Sequence, residues 1–156
     1  LTEKTLMACL SGESYEINEG NLVHPGTAKG ALVGGNLECM TSLMGTPYQP
    51  DFNQTILLIE EVGAEPYIVD MKLSQLDLAG VFEQVSAVIW GEFERCDAKH
   101  SPERDGTVED VIHEWSKKIK KPSIKNFPYG HMKRRCVLPI GKEVILNADT
   151  HTLFIS

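Results

Sequence analysis

Two adjacent glutamates occupy a position where the chain could deliver carboxylates to a site. Glu60 and Glu61 come at the carboxyl end of the apolar run Thr55–Glu60, whose length and composition predict a strand buried on both faces. Functional groups in α/β folds gather at the carboxyl ends of strands, so a carboxylate here is well placed for a site. The same spacing also fits two glutamates that begin a solvated loop, and the pattern leaves both interpretations open.

A histidine in an unusual setting is the second candidate. His131 ends the segment Phe127-Pro-Tyr-Gly-His, in which Gly130 permits a close approach or a positive φ and aromatic rings flank the imidazole. The alternative is a surface histidine in a turn. A glutamate and a histidine together suggest a nucleophile triad, in which the carboxylate orients the imidazole and the imidazole accepts the nucleophile's proton.

The nucleophile of such a triad is missing from the sequence pattern. No Gly-x-Ser-x-Gly elbow occurs in the chain. The hydroxyls and thiols considered for the role lie in a polar turn, inside a predicted helix or strand, or without a visible activating neighbour: Ser11, Ser14, Ser42, Ser86, Cys39 and Cys96. The residues alone therefore give half an active site.

The histidines and cysteines do not have the spacing of a metal site. Cys96 and His100 supply two ligands, whereas a structural zinc takes about four. His113-Glu114 begins like an HExxH motif, but Lys117 occupies the position of the second histidine. We expect no metal and no organic cofactor.

Alternating apolar periodicities indicate the elements that must position these side chains. The predicted strands are Gly30–Gly34, Thr55–Glu60, Val85–Trp90, Pro122–Lys125, Cys136–Ile140, Glu143–Leu146 and Thr152–Ile155. The predicted helices are Leu37–Leu43, Pro66–Ala79 and Thr107–Ile119. Strands that alternate with helices and then follow one another predict a mixed α/β domain with helices on at least one face of the sheet.

Residue preferences also predict where elements begin and end. Asn36 suits the N-cap of the first helix, and Thr107 with Asp110 forms a capping box for the third. Gly91 is expected to end its strand. Residues 1–28 have mixed character and predict a linker or arm from a preceding N-terminal domain, with the compact domain, residues 29–156, starting near Lys29.

Composition limits the functions that the chain can have. Its 156 residues carry a net charge of −7, which argues against a general nucleic-acid binder. No apolar run approaches the ~20 residues of a membrane helix, and four scattered cysteines indicate reduced thiols in a cytoplasm. One segment is basic, between Trp115 and Cys136, and predicts either a solvated surface or an electropositive rim for an anionic substrate.

Several motifs, in their order and spacing, resemble one known family. They are Lys29-Gly-Ala-Leu-Val-Gly-Gly-Asn-Leu37, Met44-Gly-Thr-Pro-Tyr48, Asp51-Phe52, Ile56-Leu-Leu-Ile-Glu-Glu61, Gly80-Val-Phe82, Ile89-Trp-Gly91, Pro128-Tyr-Gly-His131 and Leu138-Pro-Ile-Gly141. From about Gly30 to its end, the chain resembles the C-terminal domain of LD-carboxypeptidases. It departs from the family pattern at Asp70-Met71, where the family often has an acidic residue followed by arginine.

The resemblance implies a fold and a division of labour between two domains. This domain would be a swivelling β/β/α fold, and a flavodoxin-like N-terminal domain would supply the serine. Carried over to this sequence, the catalytic glutamate is Glu60 and the catalytic histidine is His131, with Glu61 as a solvated neighbour. The chain alone, without the serine, is then expected to be inactive.

The resemblance also implies a substrate and partners. Such enzymes remove the terminal D-alanine of cytoplasmic murein tetrapeptides during peptidoglycan recycling, and we expect a homodimer in the intact protein. Two alternatives remain: the related microcin-C immunity proteins, which cleave an acyl-adenylate-like toxin, and a non-catalytic binding module of the same fold.

Overall fold

Three strands follow the first helix, helices and strands then alternate, and three more strands follow the last helix. The computed structural model describes residues 1–100 and 102–156. The strands are β1 (Tyr15–Asn18), β2 (Asn21–His24), β3 (Thr27–Asn36), β4 (Ile56–Val62), β5 (Ala87–Glu94), β6 (Ser123–Lys125), β7 (Glu143–Asn147) and β8 (Thr152–Ile155). The helices are α1 (Thr2–Ser11), α2 (Leu37–Leu43), α3 (Pro66–Leu78), α4 (Val81–Gln84), α5 (Pro102–Asp105) and α6 (Val108–Ile119).

One long strand joins the two halves of the sheet. Within the described residues the strands form an eight-stranded sheet in the order β1-β8-β7-β3-β4-β5-β6-β2. The first half of β3, residues 27–31, pairs antiparallel with β7, and the second half, residues 32–36, pairs parallel with β4. β3, β4, β5 and β6 are mutually parallel, so their carboxyl ends meet at one edge. This mixed sheet with helices confirms the predicted α/β class.

Successive side chains of the central strands point to opposite faces of the sheet, and each face has its own core. Ile59 belongs to the core that also contains Leu73 of α3 and Trp115 of α6. Leu58 belongs to the core on the other face. The alternation continues past the apolar run of β4. Glu60 therefore falls on the face of Leu58 and Glu61 on the face of Ile59.

The predicted helix caps are confirmed. The Asn36 side chain accepts a hydrogen bond from the backbone N–H of Cys39 at 3.1 Å. At the start of α6, Thr107 accepts from the backbone of Asp110 at 3.2 Å, and the carboxylate of Asp110 accepts from the backbone of Thr107 at 3.0 Å. These side chains bind amides that the first helical turn leaves without partners.

The predicted strand Cys136–Ile140 is wrong, because other groups occupy the hydrogen bonds of its backbone. The Cys136 N–H donates to the carbonyl of Pro128 at 2.7 Å. The Val137 N–H donates to the Thr5 hydroxyl at 2.9 Å, and the Val137 carbonyl accepts from the Tyr15 hydroxyl at 3.2 Å. The segment is therefore anchored by the Pro128 carbonyl and by side chains of α1 and β1, and not in a ladder.

The prediction that Gly91 ends its strand is also wrong. β5 runs through Gly91 to Glu94. A Cβ atom at position 91 would lie 2.6 Å from the carbonyl oxygen of Tyr129, so glycine is needed for a close approach of two chain segments.

Residues 1–28 contribute to the sheet of the domain. They form α1, the edge strands β1 and β2, and the start of β3. A preceding domain joined through this segment stays a prediction. None of the helices in the described part of the chain combines the length and the apolar character that crossing a bilayer requires.

Candidate active site

Glu60 and His131 meet, although 71 positions separate them in the chain. The distance from Glu60 Oε2 to His131 Nδ1 is 2.9 Å, which confirms the expected proximity. The Glu60 side chain is 5% exposed and the imidazole is 50% exposed. An ionised carboxylate only accepts hydrogen bonds, so Nδ1 is the donor, and in the neutral imidazole Nε2 then keeps its lone pair. The pair thus offers a base on its outer nitrogen.

The neighbouring strand has a bulge opposite Glu60. Ile59 of β4 pairs with Trp90 of β5, but Glu61 pairs with Phe93, so β5 places two residues opposite Glu60. One of these two is Gly91, and a Cβ atom there would lie 3.1 Å from the Cβ atom of Glu60. Bulges are common beside active sites because they redirect a side chain.

The segment that carries the histidine continues from β6 alongside β5. The Phe127 N–H donates to the Trp90 carbonyl at 3.1 Å, and the Tyr129 carbonyl accepts from the Glu92 N–H at 2.9 Å. Phe127 is fully buried and anchors the segment in the core. The sheet therefore fixes the position where the chain leaves toward His131.

The loop from Pro128 to Cys136, here called the histidine loop, is closed at its base and open at its tip. The Cys136 N–H donates to the Pro128 carbonyl at 2.7 Å. Gly130 has φ of +142°, and a Cβ atom there would lie 3.3 Å from Glu60 Oε2. A side chain at position 130 would be strained and would crowd the carboxylate. Glycine is the residue that lets His131 reach Glu60.

Glu61 has a different role from its neighbour. It is 4% exposed, so the expectation of a solvated residue is wrong. Its carboxylate accepts hydrogen bonds from the Asn36 side-chain amide at 3.0 Å, the Glu38 N–H at 3.0 Å and the Val62 N–H at 2.8 Å. Because the alternation of β4 turns Glu61 to the helix face, it meets the free amides at the start of α2.

Burial affects two more titratable groups beside the pair. Burial raises the pKa of the Tyr129 hydroxyl, and the charge of Glu60 raises it further. Burial also raises the pKa of the Glu92 carboxyl, with a contribution from Glu109. Tyr129 thus remains a neutral phenol beside the site at neutral pH.

A second Glu–His pair lies at the same edge of the sheet, and sequence reasoning missed it. Glu65 Oε1 lies 2.7 Å from His100 Nδ1. The other oxygen of Glu65 accepts from the backbone N–H groups of Lys99 at 2.7 Å and His100 at 3.2 Å. No local signal in the sequence marked this pair, because its members are 35 positions apart and join two loops.

The serines and cysteines considered earlier do not complete a triad. Ser42 donates to the Glu38 carbonyl at 2.8 Å, within its own helix. Cys96 is buried, and burial raises the pKa of its thiol. In the part of the chain that the structure describes, no serine or cysteine side chain hydrogen-bonds with His131. In that part there is also no group of three or more metal-ligating side chains.

The basic segment beside the histidine is only partly neutralised. Arg134 pairs with Glu19, whereas Lys133 and Arg135 are exposed and form no ion pair with any described residue. An electropositive rim next to His131, built from these two cations, stays a prediction.

Comparison with known proteins gives one consistent result. The model of the LD-carboxypeptidase C-terminal domain matches residues 29–146. A Bacillus subtilis protein named "Probable murein peptide carboxypeptidase" is 32% identical over 131 residues, which are 84% of this chain and 41% of that protein. The murein tetrapeptide carboxypeptidase of Pseudomonas aeruginosa is 30% identical over 144 residues, 90% of this chain and 45% of the relative.

A solved structure has the same fold. The crystal structure of muramoyltetrapeptide carboxypeptidase from Oxalobacter formigenes matches with a TM-score of 0.89 at 24% identity, over 99% of this chain and 54% of that one. The chain therefore spans about half the length of the proteins that it matches.

Proposed function

Because the chain belongs to the LD-carboxypeptidase family and matches the C-terminal domain of its members, we propose that the protein containing it is a serine carboxypeptidase of murein tetrapeptides. The reaction is hydrolysis of the bond between an L-centre and the terminal D-alanine. Glu60 and His131 are the two triad members that this domain supplies, and a preceding domain supplies the serine. We place this activity in the cytoplasm, where murein peptides are recycled.

In the proposed mechanism each group has one step. His131 Nε2 accepts the serine proton as the serine oxygen attacks the peptide carbonyl. The imidazolium, stabilised by the buried Glu60 carboxylate, then donates that proton to the leaving D-alanine amine. The same nitrogen then takes a proton from water as the water attacks the acyl-serine, and it returns that proton to the departing serine oxygen, which restores the enzyme. The D-alanine and the shortened peptide are the products.

One observation supports the proposal most strongly. His131 is the hydrogen-bond partner of Glu60 within the described residues, at 2.9 Å, and the carboxylate is otherwise buried. A buried carboxylate with a single imidazole partner keeps that imidazole in one tautomer and one orientation. The imidazole is half exposed, so another domain can present a hydroxyl to its second nitrogen.

The activity test compares the intact protein with this chain alone. Murein tetrapeptide is incubated with each, and released D-alanine is measured by chromatography. The proposal predicts release by the intact protein and none by this chain. Absence of release by the intact protein contradicts the proposed substrate, and release by this chain alone contradicts the assignment of the nucleophile to another domain.

The same assay separates the alternative functions. An aminoacyl-adenylate analogue offered in parallel tests the microcin-immunity type of reaction. Turnover of that analogue without turnover of tetrapeptide supports that type and contradicts the proposed substrate. Turnover of neither supports a non-catalytic module.

A further inference from the structure

The histidine loop is held from a second side, by the N-terminal segment. The Arg134 guanidinium forms a two-bond fork with the Glu19 carboxylate, with Nη1 3.1 Å from Oε2 and Nη2 bonded to Oε1. The two residues are 115 positions apart in the chain. Arg134 lies three positions after His131, so this fork fixes the far arm of the loop that carries the histidine.

Glu19 is itself fixed by the sheet. It directly follows β1, whose residues Tyr15–Asn18 pair with β8. Its backbone N–H donates to the His151 carbonyl at 3.1 Å. Because the backbone of Glu19 is fixed in this way, its carboxylate can hold the side chain of Arg134 in one position.

Helix α1 strengthens the same attachment just beyond Arg134. The Thr2 hydroxyl donates to the Arg135 carbonyl at 2.5 Å. The buried Thr5 hydroxyl accepts from the Val137 N–H at 2.9 Å. Residues 2–19 thus contact positions 134 and 135 of the histidine loop and position 137 just after it.

The tip of the loop has little else to hold it. Within the described part of the chain, none of the backbone N–H groups from Gly130 to Arg135 donates a hydrogen bond. Side-chain groups therefore hold this stretch at three points: His131 on Glu60, Arg134 on Glu19 and the Thr2 hydroxyl on the Arg135 carbonyl. Segments with so few internal bonds are the first to open locally.

We infer that Glu19 and Arg134 are positioning residues that hold the histidine loop in the geometry where His131 meets Glu60. The inference rests on the proposed function for its kinetic consequence, but its structural part stands on the loop alone. Without the fork, Gly130 leaves the loop free to swing, and the imidazole spends less time aligned. Misalignment of a catalytic group lowers kcat, whereas substrate binding by other groups persists.

The kinetic test uses the intact protein and a matched control. Glu19→Gln is expected to lower kcat about fivefold with KM almost unchanged. A fivefold loss corresponds to the upper end of the free energy that an exposed ion pair contributes. The control is Glu143→Gln, because Glu143 also forms an exposed pair, with Lys29 at 2.7 Å between β7 and β3, and this pair includes no residue of the histidine loop. That variant is expected to keep the kcat of the parent protein.

A charge exchange distinguishes positioning from substrate contact. The double variant Glu19→Arg with Arg134→Glu keeps the pair and is expected to restore most of the lost kcat. If Arg134 instead touched the substrate, Glu19→Gln would leave kcat unchanged, and the exchanged variant, which has no arginine at position 134, would have a low kcat. Either result overturns the inference.

A substrate-free measurement keeps the inference testable whether or not the proposed activity is found. The Nδ1–H resonance of His131, recorded by NMR with ¹⁵N-labelled histidine, reports its hydrogen bond to Glu60. In Glu19→Gln this proton is expected to exchange faster with water, and in Glu143→Gln it is expected to be unchanged. A Glu19→Gln protein that is thermally less stable but has an unchanged His131 signal overturns the inference. An inactive parent protein would reject the proposed function only.

Discussion

Glu60 and Glu65 lie a few positions apart at one edge of the sheet, and each holds a histidine by its Nδ1 atom, at 2.9 Å and 2.7 Å. Within the described residues, the Glu60 carboxylate accepts a hydrogen bond from His131 and from no backbone group. The Glu65 carboxylate also accepts hydrogen bonds from the backbone N–H groups of Lys99 and His100. The first carboxylate orients an imidazole, and the second ties down a loop.

The difference shows that a Glu–His contact alone does not identify a catalytic pair. The two pairs differ in the partners of the second carboxylate oxygen and in the local geometry of the chain. At Glu60 a bulge and two glycines, Gly91 and Gly130, bring the histidine loop close to the carboxylate. At Glu65, two backbone N–H groups of the loop also donate to the carboxylate, so the imidazole of His100 is one of three hydrogen-bond donors.

The largest effect is expected from Glu60→Gln in the intact protein. The amide removes the charge that stabilises the imidazolium and favours the wrong tautomer, so kcat should fall about 10³–10⁴-fold with KM almost unchanged. The matched change Glu65→Gln should leave kcat within a few fold. Steady-state kinetics with tetrapeptide measure both. Equal losses in the two variants would break the distinction between the pairs.

Glu61 sharpens the comparison, because it is a buried carboxylate without a histidine. Glu61→Ala leaves the Asn36 amide and two backbone N–H groups without their acceptor, and each such loss costs about 1–3 kcal/mol. We expect the free energy of unfolding to fall by about 3 kcal/mol in denaturant titrations, with kcat of the folded protein largely kept. A stable but inactive variant would contradict a structural role for Glu61.

The smallest effect is the acid response of the second pair. The hydrogen bond from the Lys99 backbone, followed by the bonds from His100, lowers the pKa of Glu65 below its ordinary value of 4.5. Because the pKa of Glu65 is lower in the folded than in the unfolded protein, the ionised carboxylate stabilises the folded state above pH 4.5. This stabilisation is lost as the pH falls through the pKa of Glu65 in the folded protein. Protection of the Lys99 and His100 amides against hydrogen exchange, taken relative to the intrinsic exchange rate at each pH, should then fall in acid in the parent protein. In Glu65→Gln the protection should be low at every pH, and an acid response retained by that variant would exclude Glu65 as its source.

Much of the fold could be predicted because the central elements have strong local signals. The apolar run of β4, the periodicity of α3 and the capping box of Thr107 and Asp110 each specify their structure within a few residues. The site residues Glu60 and His131 could be named from their settings and the family resemblance. Their role in catalysis stays a prediction.

Other features depend on contacts between distant segments, which local patterns do not contain. Edge strands β1 and β2 are short and polar, so they resemble turns until the sheet pairs them. The burial of Glu61 follows from the position of α2, and the Glu65–His100 pair joins two loops. The segment 136–140 has the residues of a strand, but α1 and the histidine loop take its hydrogen bonds.

The most direct test of the central claim is a crystal structure of the intact protein. We predict that a serine hydroxyl of the preceding domain lies within about 3.2 Å of His131 Nε2, or somewhat farther without ligand, while Glu60 still holds Nδ1. The triad would be contradicted by a structure with the domains closed in which no serine faces that nitrogen and the nearest hydroxyl lies beyond about 6 Å. The reason is that the proton transfer requires a hydrogen bond between the serine and the imidazole.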